Sequence, residues 1–273
     1  MKINFSEYRP SPPLEALVQT YWTGDFNLYD EKGFSQSVLP NGCIELIIHL
    51  GHDHCELVKE ETWEKSPEFT LIGLQTTPYE VRFNSLVQVF GIRFNPEGIF
   101  SLFGVPPALF TATFENSREV LGRDFDDYCS RMREAKTVSD RIQLTDSFLL
   151  SRNPEVLRVR DYSRMAFKII RKHQGNIGLD ELIRQLPVSP RQLQRTFRET
   201  YGITAKEYMR LCRLNAIQQY LQGQDTVNLT ELSYERGFAD QSHFIREYRL
   251  LTGTNPGGFL KGREQFIARP ARL

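Results

Sequence analysis

The chain of 273 residues has little of several things that would point to a particular chemistry. It has four cysteines, Cys43, Cys55, Cys129 and Cys212, all far apart. None forms the C-x-x-C spacing of a thiolate zinc site or a redox pair, so buried free thiols are the expectation. No apolar run approaches the ~18 residues needed to cross a bilayer. The opening "MKINFSEYRPSPPLE" lacks the basic-then-apolar layout of a secretory signal, which gives a cytoplasmic reading with no membrane partner. There is no G-x-S-x-G elbow, phosphate loop or H-E-x-x-H pair, so no catalytic residue and no cofactor are assigned.

Net charge is absent too, but only as a cancellation. Residues 1–157 carry 14 Lys and Arg against 23 Asp and Glu, net −9, while residues 158–273 carry 20 against 11, net +9. An acidic half joined to a basic half suggests a polyanionic partner for the second.

From Val38 to about Asn95 short runs rich in β-branched and aromatic residues predict strands: Cys43–Leu50, Phe69–Leu74, Tyr79–Phe83 and Val87–Phe94. Turn formers separate them, so a small antiparallel barrel or sandwich is expected. After Pro96 the period becomes helical. "PEGIFSLFG" opens on proline and stops at Gly104, and helices are expected at Phe125–Glu134 and Ser139–Leu150, the latter capped by Ser139. "SRNPEVLRVRD" (Ser151–Asp161) reads as the linker.

From Tyr162 onward the chain repeats itself. Leu179, Leu182, Leu193, Phe197, Gly202 and Tyr208 match Leu229, Leu232, Phe244, Tyr248, Gly253 and Phe259. Each copy reads helix, tight turn, helix. Ser189 with Pro190 starts the second helix of the first copy, and Asp240 caps its counterpart. With Leu193 and Phe197 turned inward, Arg191, Gln194, Arg195 and Arg198 face out. With Phe244 and Tyr248 inward, Gln241, Ser242, His243 and Arg246 face out. In a helix-turn-helix the second helix enters the major groove, where Arg and Gln read base edges in pairs of hydrogen bonds. Arg191, Gln194, Arg195, Gln241, Ser242, His243 and Arg246 are therefore the candidate base contacts. Arg198, Lys206, Arg210, Arg249 and Lys261 are candidate phosphate contacts, and double-stranded DNA is the expected partner.

The segments "SPRQLQRTFRETYGITAKEYMRLCRLNAIQQYL" and "LSYERGFADQSHFIREYRLLTGTNPGGFL" resemble the DNA-binding domain of the AraC/XylS family of bacterial transcription regulators. Ile183 and Ser233 stand where the family usually has a small alanine, and Pro187 lies where it usually has a glycine nearby. The resemblance implies seven helices, with Leu211–Leu221 in the helix that joins the two modules. It also implies a cupin-like N-terminal domain that binds a small-molecule effector or forms a homodimer, and RNA polymerase as a partner.

The expected fold is therefore α+β and multidomain. Residues 1–95 form a cupin-like antiparallel β-barrel or sandwich, 96–157 a helical connector and candidate dimerisation region, 158–265 the all-α double helix-turn-helix, and 266–273 a tail. Trp22, Glu45, Phe90, Arg93 and Phe94 are the candidate effector pocket, Glu45 because it interrupts an apolar strand. Its plain alternatives are an outward position or a pairing with Arg93. "HLGHDHCE" places His49, His52 and His54 close together, a donor set that could take a metal. A metal-dependent cupin-type or DNA-repair-type enzyme with a helix-turn-helix tail is the alternative function.

Overall fold

A computed structural model describes residues 2–27, 34–59, 61–122, 124–152, 161–222, 224 and 226–267. The chain divides into two compact units. Unit 1 comprises residues 1–35, 43–74 and 81–159; unit 2 comprises 36–42, 75–80 and 160–273.

In chain order the first half forms β1 (Lys2–Tyr8), β2 (Val18–Asn27), β3 (Phe34–Val38), β4 (Ile44–His49), β5 (Glu56–Lys59), β6 (Thr62–Lys65), β7 (Phe69–Ile72), β8 (Tyr79–Phe83) and β9 (Val87–Phe94). There follow α1 (Pro96–Phe103), β10 (Phe114–Asn116), α2 (Ser117–Leu121), α3 (Asp124–Glu134) and α4 (Val138–Ser151). One sheet of unit 1 runs β1-β2-β9-β4-β7-β10, and in a second β8, β5 and β6 are neighbours. The four strands expected from sequence are β4, β7, β8 and β9. Their apolar character follows from position: β4 and β9 lie in the middle of the larger sheet, and nearly every residue of both is buried. Strand β2, absent from the sequence reading, carries Gly24 and Asp25, residues that otherwise mark turns.

Helices α3 and α4 pack within the same unit as the sheets. Tyr128 and Phe148 stack with ring centres 4.4 Å apart, and the Tyr128 hydroxyl lies 2.9 Å from that of Thr145. Tyr21 of β2 donates to Asp146 of α4 at 2.7 Å, fastening helix to sheet. The cap of α4 is Thr137 rather than Ser139. Thr137 and Asp140 exchange side-chain-to-backbone hydrogen bonds, satisfying two amides that Ser139 could not reach. Of the expected linker, residues 153–160 lie outside the described residues.

Unit 2 holds, among the described residues, the seven α-helices α5 (Asp161–Lys172), α6 (Leu179–Arg184), α7 (Pro190–Tyr201), α8 (Ala205–Gln222), α9 (Leu229–Glu235), α10 (Gln241–Thr252) and α11 (Pro256–Lys261), then strand β11 (Phe266–Ile267). The repeat of the sequence is a repeat of structure. Leu182 and Leu232, Leu193 and Phe244, and Phe197 and Tyr248 are all buried. Both second helices end on a left-handed glycine, Gly202 at φ 72° and Gly253 at φ 74°. Leu179 departs from the pattern, being 46% exposed at the start of α6. Phe167 of α5 centres the first module, 4.7 Å from the rings of Phe197, Tyr201 and Tyr208.

A finding absent from the sequence reading is that residues 36–42 belong to this helical unit. Leu39 is buried in one apolar cluster with Leu211 and Leu214 of α8 and Phe244 and Tyr248 of α10. Asn215 of α8, itself buried, donates to the Asn41 carbonyl at 2.6 Å. Of the expected tail, Phe266 and Ile267 form β11, which pairs in parallel with β3, Phe266 opposite Ser37 and Ile267 opposite Val38, and residues 268–273 lie outside the described residues.

Candidate nucleic-acid interface

Local chemistry fixes where α7 and α10 begin. Ser189 accepts from the Gln192 amide at 3.2 Å with Pro190 as the first helical residue, and Asp240 accepts from the His243 amide at 2.7 Å. Each cap satisfies an amide that the first turn leaves without an intrahelical partner. The caps also place the same side of each helix inward, because Leu193 and Phe244 both stand at the fourth helical position.

The outer face of α7 is exposed at Arg191, Gln194, Arg195 and Arg198. Arg195 lies 3.9 Å from Glu199 one turn on, a surface pair of little strength. On α10, Ser242 and Arg246 are exposed, while Gln241 and His243 are half-buried and partly committed. The Gln241 side-chain carbonyl accepts from the Thr230 hydroxyl at 2.7 Å, tying α10 to the start of α9. The His243 ring sits edge-on to Phe238 with centres 5.4 Å apart. Arg198, Lys206, Arg249 and Lys261 are exposed. Arg210, expected among the phosphate contacts, is half-buried and already engaged. Its guanidinium reaches the Glu247 carboxylate at 2.8 and 3.4 Å, so it braces α8 against α10.

Sequence reasoning missed the residues that lock the two modules together. Arg213 of α8 donates to the Gly175 carbonyl at 3.2 Å and lies over the Phe238 ring at 5.1 Å. Arg236, at the turn between α9 and α10, donates to Gln174 at 2.8 Å. The loop after α5 thus touches the turn of the second module directly. Gly175 lets the same loop lie directly on α8: it has φ 74°, and a Cβ there would stand 2.0 Å from the Met209 carbonyl oxygen. These side chains carry no periodic signal, since they act from loops and from one side of a shared helix. Of the three departures from the family pattern, Ser233 is accommodated most clearly: it is fully buried, and its hydroxyl donates to the Thr230 carbonyl at 2.7 Å.

In unit 1 the expected effector residues prove to be packed core. Trp22, Phe90, Arg93 and Phe94 are each at most 1% exposed. Glu45 faces Arg93 across β4 and β9 and accepts from its Nε at 2.7 Å, and Glu7 lies 3.3 Å from the same guanidinium. Burial alone would depress the Arg93 pKa, but Glu45 and Glu7 hold it above its ordinary value. The carboxylate inside an apolar strand is therefore half of a buried ion pair.

The three histidines do not assemble a metal centre. Among the described residues no group of three or more His, Cys, Asp or Glu side chains is placed to hold a metal ion. His49 is buried with both nitrogens engaged: Nδ1 lies 3.3 Å from the Glu68 carbonyl, and Nε2 is 3.2 Å from the Ser66 hydroxyl and 3.5 Å from the Cys55 thiol. Burial and the neighbouring His54 push its pKa down to about 4, and burial pushes that of Cys55 up to about 11. Both are neutral near pH 7. All four cysteines are buried thiols outside any disulfide. Among the described residues no helix is long and apolar enough to cross a membrane.

Comparison with known proteins follows the same division. The profile of a helix-turn-helix domain matches residues 182–262, and that of a domain of unknown function, DUF6597, matches residues 6–115. The chain is 29% identical over 119 residues to the transcriptional activator NphR of a Rhodococcus species, covering 43% of this chain and 35% of the relative. It is 26% identical over 91 residues to the transcriptional activator RhaS of Escherichia coli, covering 33% and 32%. The chain thus spans about a third of the length of the curated relatives it matches. Among solved structures, ToxT from Vibrio cholerae O395 aligns over 88% of this chain and 97% of its own, with 13% identity and a TM-score of 0.48.

Proposed function

We propose that the chain is a member of the AraC/XylS family of bacterial transcription regulators, that it binds duplex DNA sequence-specifically through α7 and α10, and that it regulates transcription under the control of unit 1. Arg191, Gln194, Arg195, Ser242 and Arg246 read bases, with Gln241 and His243 as partly committed neighbours. Arg198, Lys206, Arg249 and Lys261 hold phosphates, a role that sets affinity rather than sequence choice. Unit 1 senses a small molecule. Homodimer formation and contact with RNA polymerase are part of the same proposal, as is a cytoplasmic location. The relatives NphR and RhaS are transcriptional activators, and activation is the sign proposed here.

The observation that carries the reading is the duplication. Two helix-turn-helix copies, braced on one helix, present polar outer faces in a segment of net charge +9. One such face would be unremarkable on any helical protein. Two fixed in relation to each other suit a site with two half-sequences at fixed spacing.

Charge alone makes this unit adhere to DNA at low salt, so affinity is a weak test. The test is selection of bound sequences from random duplexes at near-physiological salt, comparing wild type with the double variant Arg195→Ala, Arg246→Ala. The expected result is a two-part motif in wild type, with discrimination at the read positions reduced by about 1–3 kcal/mol each in the variant. Absence of any motif, or a motif untouched by both substitutions, overturns the assignment.

A further inference from the structure

Unit 1 holds a cavity of about 410 Å³ where the end of β4 and the loop after it meet α3 and α4. That volume suits a small organic molecule and far exceeds the needs of an inorganic ion. Ile48, Leu50 and Met132 give it an apolar lining. Glu68, Arg133, Arg141 and the histidines give it a polar one.

The charges lining it do not balance. Glu68 accepts two N–H groups of Arg133, the Nε at 2.6 Å, and the two cancel. His49 adds no charge, burial keeping its ring neutral near pH 7. His54 has Nδ1 2.8 Å from the Ser66 carbonyl, which can only accept. Arg141 is left over. Its Nη2 donates to the Ala135 carbonyl at 2.7 Å, but its Nε is buried and has no hydrogen-bond partner among the described residues. The adjacent Asp140 attracts it but makes no ion pair with it among the described residues, its carboxylate accepting from the Thr137 amide at 3.1 Å in the cap of α4. A partly desolvated cation without a paired carboxylate is costly, and burial lowers the Arg141 pKa accordingly. A carboxylate is the group whose two oxygens match the guanidinium fork.

We propose that this cavity binds a small organic carboxylate, its anionic end held by Arg141 and its apolar body against Ile48, Leu50 and Met132. As the site of the controlling small molecule it rests on the function proposed above; as a binding site it stands on the cavity alone.

Calorimetric titration of the full chain, without DNA, tests it with two probes, phenylacetate and hexanoate, each beside its neutral amide. At least one acid is expected to bind about tenfold or more tightly than its amide, a difference of about 1.4 kcal/mol. In Arg141→Met, which keeps an apolar stem of similar reach, that preference is expected to vanish while the fluorescence of Trp22 and Trp63 stays as in wild type. The acid-to-amide comparison in wild type stands even if the variant folds poorly. Equal binding of acid and amide, a preference that survives Arg141→Met, or no acid binding up to about 10 mM overturns the proposal. None of these results bears on the DNA selection, so the two readings fail separately.

Discussion

His49 shows how far a residue's surroundings can move it from the chemistry its type suggests. In the string "HLGHDHCE" it reads as a metal ligand; folded, it is 3% exposed with both nitrogens hydrogen-bonded. Its pKa of about 4 lies below the ordinary value near 6.5. Between those values the unfolded chain takes up a proton that the folded chain refuses. Stability contributed by the neutral ring is therefore complete above about pH 6.5 and lost as pH falls toward 4. Both tryptophans, Trp22 and Trp63, lie in unit 1, so fluorescence reports this unit selectively. Urea unfolding followed that way is expected to show wild type losing about 2 kcal/mol more than His49→Gln between pH 7.5 and pH 5. Equal losses would mean the ring is protonated in the folded state. Glu45 makes the complementary point. Its oddity in an apolar strand was visible in the sequence, and Arg93 was one of two explanations; the strand register that sets them opposite each other decided between them.

Among elements, α7 and α10 were the most legible, because their starts rest on local chemistry. Serine followed by proline, and aspartate three residues before an amide it can accept from, act within a single turn. Asp240→Ala is accordingly expected to lower the stability of unit 2 by about 1 kcal/mol, with faster hydrogen exchange at the His243 amide. Unchanged exchange there would show that the cap does not hold the first turn. Strand β2 and the cap of α4 were less legible. Gly24 and Asp25 suit a turn as well as a strand, and Thr137 and Ser139 are both acceptable caps, separated only by whether Asp140 can close the reciprocal bond.

On the scale of the whole molecule, the boundary drawn from charge and proline separates two contiguous halves, whereas the helical unit also takes in residues 36–42 and 75–80 of the first half. Leu39 belongs in sequence to the β-rich half and in space to the core built on α8. Leu39→Ala is expected to cost unit 2 roughly 2–4 kcal/mol, as for other buried leucines, and to weaken DNA binding from a position far outside the helix-turn-helix sequence. Helical circular dichroism during unfolding, with tryptophan fluorescence as the control for unit 1, measures it. A loss seen only in fluorescence would place Leu39 with the wrong unit.

By itself the sequence determined what short-range forces govern: the duplicated helix pair with its caps, the inward and outward faces, the central strands and the opposed charges of the halves. Each depends on residues within a turn or two, or on composition. Only the tertiary structure decided that Arg210 and Arg213 brace α8, that Arg93 neutralises Glu45, that residues 36–42 join the helical core and that Arg141 lines a cavity without a paired carboxylate. These are contacts between residues far apart in the chain, whose partners are chosen by packing and register rather than by any spacing along it.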